Sequence, residues 1–112
     1  PIARYAELVE RAPRVVSAAD PSARTIVYGH VGDGNLHVNI LGPATDDVAT
    51  DDAVLALVIG LAGSVSAEHG IGTAKVAWLV RDRGEAAVAS MRALKTAWDP
   101  GNILNPGVLF ER

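Results

Sequence analysis

The segment that most constrains the fold is a pair of apolar runs separated by the tetrapeptide Gly-Asp-Gly-Asn at 32–35. Residues 25–28 and 36–41 are rich in Val, Ile and Leu and are bounded by turn-forming residues, which is typical of strands. An Asp-Gly pair between two apolar runs is a strong signal for a β-hairpin. The sequence therefore predicts an antiparallel hairpin whose turn is centred on Asp33 and Gly34.

A turn at that position determines which side chains share each face of the hairpin. It places His30 directly opposite His37, and Tyr28 opposite Asn39, on one face, because opposed residues project to the same side with Cβ atoms ~4.5–5.5 Å apart. The predicted second face is apolar and carries Val27, Val31, Leu36, Val38 and Ile40. Since the apolar face is suited to a core, we expect the polar face and its two imidazoles to form the floor of a site.

Helical periodicity accounts for most of the remaining chain. The predicted helices cover residues 2–16, 46–61, 73–84 and 85–98. Pro13 is expected to break or kink the first helix and Gly63 to close the second. Residues 64–66 are expected to form a short strand or an extended link, and Trp78 and Trp98 to pack at apolar helical positions. The predicted fold class is α+β, a β-hairpin plus helices, without an internal domain boundary.

Composition excludes several classes of function. The chain has 112 residues, 10 basic and 13 acidic, for a net charge of −3, which disfavours nucleic acid and anionic lipid as partners. No uncharged stretch reaches the ~20 residues of a membrane-spanning helix. The first residues lack the basic and apolar segments of a signal peptide, so we expect no membrane span and a cytoplasmic location. Because the chain has no cysteine, imidazole and carboxylate groups must hold any metal.

Glu68 and His69 form a second polar pair in a glycine-rich stretch. Adjacent residues on a strand or loop point to different sides, so the two are expected to take separate roles. Glu68 is a candidate third metal ligand with His30 and His37, and His69 is then a candidate general base. Alternatively, both are ordinary polar residues near a helix start, where the helix dipole favours a glutamate.

Three ordered motifs carry a more specific likeness. They read Gly-His-Val-Gly-Asp-Gly-Asn-Leu-His-Val-Asn at 29–39, Gly-Ser-Val-Ser-Ala-Glu-His-Gly-Ile-Gly at 63–72, and Met-Arg-x-x-Lys, Asp-Pro and Ile-Leu-Asn-Pro-Gly between 91 and 107. In order, spacing and identity they resemble the carboxy-terminal domain of FAD-linked oxidases. The branch they resemble contains D-2-hydroxyglutarate dehydrogenase, cytochrome-linked D-lactate dehydrogenase and the flavin subunit of glycolate oxidase. The resemblance covers nearly the whole chain.

This resemblance implies roles for individual residues. His30, His37 and Glu68 are implied to hold a divalent metal, usually zinc, Asn39 to contact the substrate, and His69 to act as the general base. The implied reaction oxidises a D-2-hydroxy acid: the metal chelates the hydroxyl and carboxylate, the base removes the hydroxyl proton, and a hydride passes from Cα to the flavin.

The resemblance also implies a domain arrangement. Residues 1–112 are expected to be the carboxy-terminal portion of the substrate domain, roughly half of a ferredoxin-like cap. FAD is expected to be bound mainly by the FAD-binding domain of the same parent protein, which is not part of this sequence, so we assign no flavin-binding residue here and expect the isolated fragment to be inactive.

The function expected from the sequence is that of a carboxy-terminal fragment of an FAD-dependent oxidoreductase. Its substrate would be a small 2-hydroxy acid of the glycolate, D-lactate or D-2-hydroxyglutarate class. The alternative is a non-catalytic metal-binding or assembly module, because missing strands would leave a sheet edge open to a partner chain. A homodimer is a further expectation, and a metal hydrolase with Glu68 as base is a third hypothesis.

Overall fold

The computed structural model describes residues 1–44 and 47–110, which form four α-helices and one two-stranded antiparallel sheet. In chain order the elements are α1 (Tyr5–Ala19), β1 (Arg24–His30), β2 (Asn35–Leu41), α2 (Ala49–Gly60), α3 (Leu79–Arg83) and α4 (Glu85–Trp98), with 3-10 turns at Ile2–Arg4 and Val76–Trp78. The α+β class predicted from the sequence is confirmed. The chain divides into two compact units, Pro1–Ala67 and Glu68–Arg112, and each is described by itself.

The first unit is built on the contact of the hairpin with α1 and α2. Ala12 and Val16 of α1 are fully buried, and each belongs to a cluster that includes apolar residues of α2. Val27, Val38 and Ile40 of the hairpin pack against these clusters. The hairpin face that carries these three residues is therefore the core face, as the alternation of the two strands predicts.

Pro13 was expected to break or kink α1; it lies inside the helix and does not end it, so of these two effects the break is wrong. A proline in a helix leaves the carbonyl four residues earlier, here that of Val9, without its backbone partner. Pro13 is on the exposed side of the helix, where water can bind that carbonyl. Burial of Ala12 and Val16 on the neighbouring side of the helix stabilises it through the proline.

At the end of α2, the residue in the left-handed conformation is Ala62 and not the predicted closing residue, Gly63. The helix ends at Gly60, and Ala62 has a φ of 56°. The N–H groups of Ala62 and Gly63 donate to Ile59 O at 2.9 Å and Val58 O at 2.9 Å, which is the Schellman pattern. Gly63 closes the helix as predicted. A glycine is needed there because its backbone lies close to the last turn of the helix: a Cβ at this position would lie 2.9 Å from Val58 Cγ1.

The first predicted residue of this helix, Asp46, is outside the described residues. The helix begins at Ala49, whose backbone N–H donates to Asp47 Oδ1 at 3.0 Å. The segment 64–66 that follows is an irregular bend rather than a strand, and Val65 and Ser66 within it are buried.

In the second unit, α4 has the predicted bounds, whereas α3 starts only at Leu79, after a 3-10 turn. Trp78 is 8% exposed and packs as expected. Trp98 is 85% exposed, so its predicted packing role is wrong. The inward row of α4 instead runs through Val88, Met91, Lys95 and, just past its end, Asp99. No helix among the described residues is long and apolar enough to span a bilayer.

Candidate functional site

The register of the hairpin determines how its two histidines meet. Tyr28 pairs with His37, Ile26 with Asn39, and His30 with Asn35. The predicted direct pairing of His30 with His37 is therefore wrong by two residues. The strands are joined by a four-residue loop, 31–34, instead of a two-residue Asp-Gly turn.

The loop geometry explains this difference. Asp33 Oδ1 accepts the backbone N–H of Asn35 at 3.0 Å, and the N–H of Gly34 donates to His30 O at 3.1 Å. Within the loop only Gly34, with a φ of 74°, has a positive φ. A two-residue type I′ turn needs positive φ at both central positions, whereas four-residue loops are commonly built around a type I turn.

A two-residue shift leaves the face of every side chain unchanged, because side chains alternate with a period of two. His30, His37, Tyr28 and Asn39 consequently share the outer face of the hairpin, as predicted. The rings of His30 and His37 lie 6.0 Å apart edge to face, and the ring of Tyr28 stacks on that of His37 at 5.0 Å and 11°. Asn39 is exposed on the same face. Four of the six residues named from the sequence are thus together on one surface.

Asn35 also belongs to this face, and it is not among the site residues predicted from the sequence. Its Oδ1 atom is buried and has no hydrogen-bond partner among the described residues. An unsatisfied buried acceptor costs ~1–3 kcal/mol, so this atom is suited to accept a hydrogen bond from a water or a ligand. Strand alternation was the available signal, because Asn35 is two residues before His37.

The other two predicted residues open the second unit. Glu68 and His69 lie in a turn, with 3.7 Å between Glu68 Oε1 and His69 Nε2. Their side chains are 47% and 62% exposed, so both are accessible to small molecules. The next α-helix begins at Leu79, so a helix dipole does not account for the glutamate at this position.

An ion pair between the half-buried Lys95 and the buried Asp99 organises the segment after α4. Lys95 donates to Asp99 Oδ2 and to Leu104 O. Asp99 also accepts the backbone N–H groups of Ile103 at 2.9 Å and Leu104 at 3.0 Å. The hydrogen bond from Lys95, assisted by these two N–H groups, lowers the pKa of the Asp99 carboxyl. This arrangement is structural and contains none of the predicted site residues.

Comparison with known proteins places these features in a family. The family described as "FAD linked oxidases, C-terminal domain" matches residues 1–109. The chain belongs to this family. Membership in the C-terminal domain of FAD linked oxidases confirms the resemblance inferred from the three motifs.

Curated relatives share the sequence of this C-terminal domain. A D-2-hydroxyglutarate dehydrogenase of Xanthomonas citri pv. viticola is 44% identical over 101 residues, which is 83% of this chain and 21% of the relative. A mitochondrial D-lactate dehydrogenase [cytochrome] of Kluyveromyces lactis is 34% identical over 99% of this chain and 19% of the relative. The glycolate oxidase subunit GlcD of Bacillus subtilis is 33% identical over 100% of this chain and 25% of the relative. The chain spans about a fifth to a quarter of the length of these relatives.

Proposed function

We propose that this chain is the carboxy-terminal part of an FAD-dependent enzyme that oxidises a small D-2-hydroxy acid. The observation that supports this function is the outer face of the hairpin, where the exposed His30, the half-buried His37 and the exposed amide of Asn39 lie together in an FAD linked oxidase domain. The relatives named above take their names from D-2-hydroxyglutarate, D-lactate and glycolate, which are all 2-hydroxy acids. We take the substrate to belong to this class.

The donor groups of the chain fit a divalent metal, zinc above all. Zinc accepts histidine nitrogen at ~2.0–2.1 Å and carboxylate oxygen, and two imidazoles on one ion have ring centroids roughly 5–6 Å apart. The 6.0 Å between the rings of His30 and His37 is compatible with this arrangement. Glu68 would supply the carboxylate. A divalent ion held by these three residues would polarise the substrate hydroxyl and offset the charge of its carboxylate.

His69 and Asn39 would act on the substrate directly. A neutral imidazole has one unprotonated ring nitrogen, Nδ1 or Nε2, which can accept the hydroxyl proton. The exposed amide of Asn39 can donate a hydrogen bond to a substrate oxygen. The flavin, when bound, accepts the hydride from Cα.

The FAD-binding domain of the same parent protein would hold that flavin. The chain corresponds to 21% of the D-2-hydroxyglutarate dehydrogenase named above, and we assign no FAD-binding residue within it. Activity is therefore a property of the longer protein, and residues 1–112 supply the metal ligands and the base.

A chimaera tests this function directly. The corresponding segment of the Xanthomonas citri D-2-hydroxyglutarate dehydrogenase is replaced by this chain, and loss of oxidised-flavin absorbance is followed without oxygen. Glycolate, D-lactate and D-2-hydroxyglutarate are offered in turn, with L-lactate as the control. We expect one of the first three to reduce the flavin, and His69→Gln to slow that reduction by about 10²–10⁴-fold. A folded, flavin-loaded chimaera that none of the three reduces would contradict the proposal.

A second candidate function is an assembly module. The sheet has two strands among the described residues, so each strand has one edge without a neighbouring strand. Ile26 and Leu41 are both 49% exposed, and unpaired edges with apolar side chains favour pairing with another chain. Sedimentation equilibrium over a hundredfold range of concentration tests this candidate and the expected homodimer together. A monomer whose mass does not change with concentration would exclude self-association of the chain.

A further inference from the structure

We propose that Asp33 is a positioning residue that fixes the tautomer of His30, so that Nε2 of His30 is the atom available to a metal. This inference rests on the proposed function, because it concerns the same metal site. It adds a residue outside the set of ligands, base and substrate contact assigned above.

The Asp33 carboxylate is held in position by the loop. Its Oδ1 atom accepts the N–H of Asn35 at 3.0 Å, and the loop is closed by the bond from Gly34 N to His30 O at 3.1 Å. With Oδ1 engaged by the backbone, Oδ2 lies 3.5 Å from His30 Nδ1. The loop that joins the strands thus presents a carboxylate oxygen to one particular nitrogen of His30.

That carboxylate oxygen determines which tautomer of the His30 imidazole is favoured. A neutral imidazole carries one N–H, and an acceptor next to Nδ1 stabilises the tautomer that has its hydrogen there. The lone pair is then on Nε2, which is the form a metal binds. Metal-ligating histidines commonly donate their second N–H to a carboxylate, and loss of that carboxylate typically weakens metal binding 10–100-fold.

The exposure of the pair limits the expected size of the effect. The side chains of His30 and Asp33 are 58% and 63% exposed, so water competes for both groups. We therefore expect about a tenfold loss of zinc affinity without Asp33, the lower end of that range.

Two substitutions separate this role from the role of Asp33 in the turn. Asp33→Asn keeps an oxygen that can accept the N–H of Asn35, but it turns an NH₂ group toward His30 Nδ1 and so favours the opposite tautomer. Asp33→Ala removes both interactions. If Asp33 only shapes the turn, Asp33→Asn binds zinc as the unaltered chain does. If it sets the tautomer, both variants bind zinc about tenfold more weakly.

Asp20 provides the matched control. Its Oδ1 accepts the backbone N–H of Ser22 at 2.8 Å, the same two-residue turn contact that Asp33 makes with Asn35. No histidine contact is recorded for Asp20 among the described residues. Asp20→Asn should leave zinc affinity unchanged.

The experiment has two readouts on the whole chain, both taken at about pH 8. Nitrogen chemical shifts of His30 without metal report the tautomer, and calorimetric titration with Zn²⁺ reports the affinity. We expect the Nδ1–H tautomer in the unaltered chain, the Nε2–H tautomer in Asp33→Asn, and a matching loss of zinc affinity. An Nε2–H tautomer in the unaltered chain, or unchanged affinity in Asp33→Asn, would overturn the role of Asp33. Absence of zinc binding by the unaltered chain would instead overturn the metal site itself.

Discussion

The ring of Tyr28 lies directly across the hairpin from His37 and stacks on its imidazole, with centroids 5.0 Å apart and planes inclined by 11°. Neither residue belongs to the core, since Tyr28 is 52% exposed and His37 is half-buried. The contact restricts the orientation of an imidazole that we assign to a metal.

Removal of this ring should weaken zinc binding. We expect Tyr28→Ala to lower the affinity several-fold, because His37 must then lose side-chain freedom when it binds, at a cost of ~0.5–1 kcal/mol. Tyr28→Phe keeps the stacked ring and should bind as the unaltered chain does. Ile26→Ala is the control, because Ile26 shares the strand, the face and a similar exposure of 49%. Calorimetric titration with Zn²⁺ measures all three, and equal affinities for the Ala and Phe variants of Tyr28 would contradict this role.

The proposed ligands and the proposed base should respond differently to substitution. His30→Ala and His37→Ala should each lower the zinc content of the purified chain from about one ion to a small fraction, since each removes one of three ligands. His69→Gln should retain the zinc, because we assign His69 to the substrate proton. Elemental analysis after dialysis measures this. Zinc lost equally from the His69 variant would show that His69 is a ligand and would leave the base unassigned.

Gly29 should tolerate no side chain. A Cβ at this position would lie 2.1 Å from Asn35 O and 3.0 Å from Leu36 Cα, both backbone atoms of the paired strand. We expect Gly29→Ala to destabilise the hairpin by about 3 kcal/mol or more, because the strands must separate to admit the methyl group. Gly32→Ala is the matched control in the adjoining loop, where a Cβ would meet nothing within 4 Å. Urea unfolding followed by circular dichroism compares them, and equal midpoints would contradict the predicted clash.

Asp99 should make the stability of the second unit depend on pH. Its pKa is lowered in the folded chain, chiefly by the hydrogen bond from Lys95. The resulting stabilisation is therefore complete above the unfolded value of ~3.9 and is lost as the pH falls through the lower folded value. We expect Asp99→Asn to melt below the unaltered chain at about pH 6, and the gap to close toward about pH 3. A gap that stays constant over this range would assign the effect to packing instead of charge.

The sequence predicted the membership of the hairpin faces better than the strand register. His30, His37, Tyr28 and Asn39 share a face in either register, because a two-residue shift preserves alternation. The register itself depends on loop length, and an Asp-Gly pair is compatible with both a two-residue turn and the observed loop of four. Glu68 and His69 were expected on a strand or a loop, and the choice of a turn follows from backbone angles that glycine-rich segments leave open.

The prediction of the helices is limited in the same way, because it depends on tertiary contacts that local sequence signals do not show. α4 was predicted with its observed bounds because its capping and breaking residues are local signals. The predicted break at Pro13 and the predicted packing of Trp98 were wrong for a shared reason: propensity and periodicity do not show which side of a helix meets the core. Pro13 is tolerated on an exposed side, and Trp98 is exposed at the last turn of α4, where Lys95 is half-buried and Asp99 is buried.

The distribution of aromatic residues gives the chain two separate optical reporters. Both tryptophans, Trp78 and Trp98, are in the unit Glu68–Arg112, and both tyrosines, Tyr5 and Tyr28, are in the unit Pro1–Ala67. Tryptophan emission therefore follows the unfolding of one unit only, and an aqueous quencher such as iodide reaches the 85% exposed Trp98 before the 8% exposed Trp78. A tryptophan melting curve that departs from the far-ultraviolet curve of the whole chain would reveal that the two halves unfold independently.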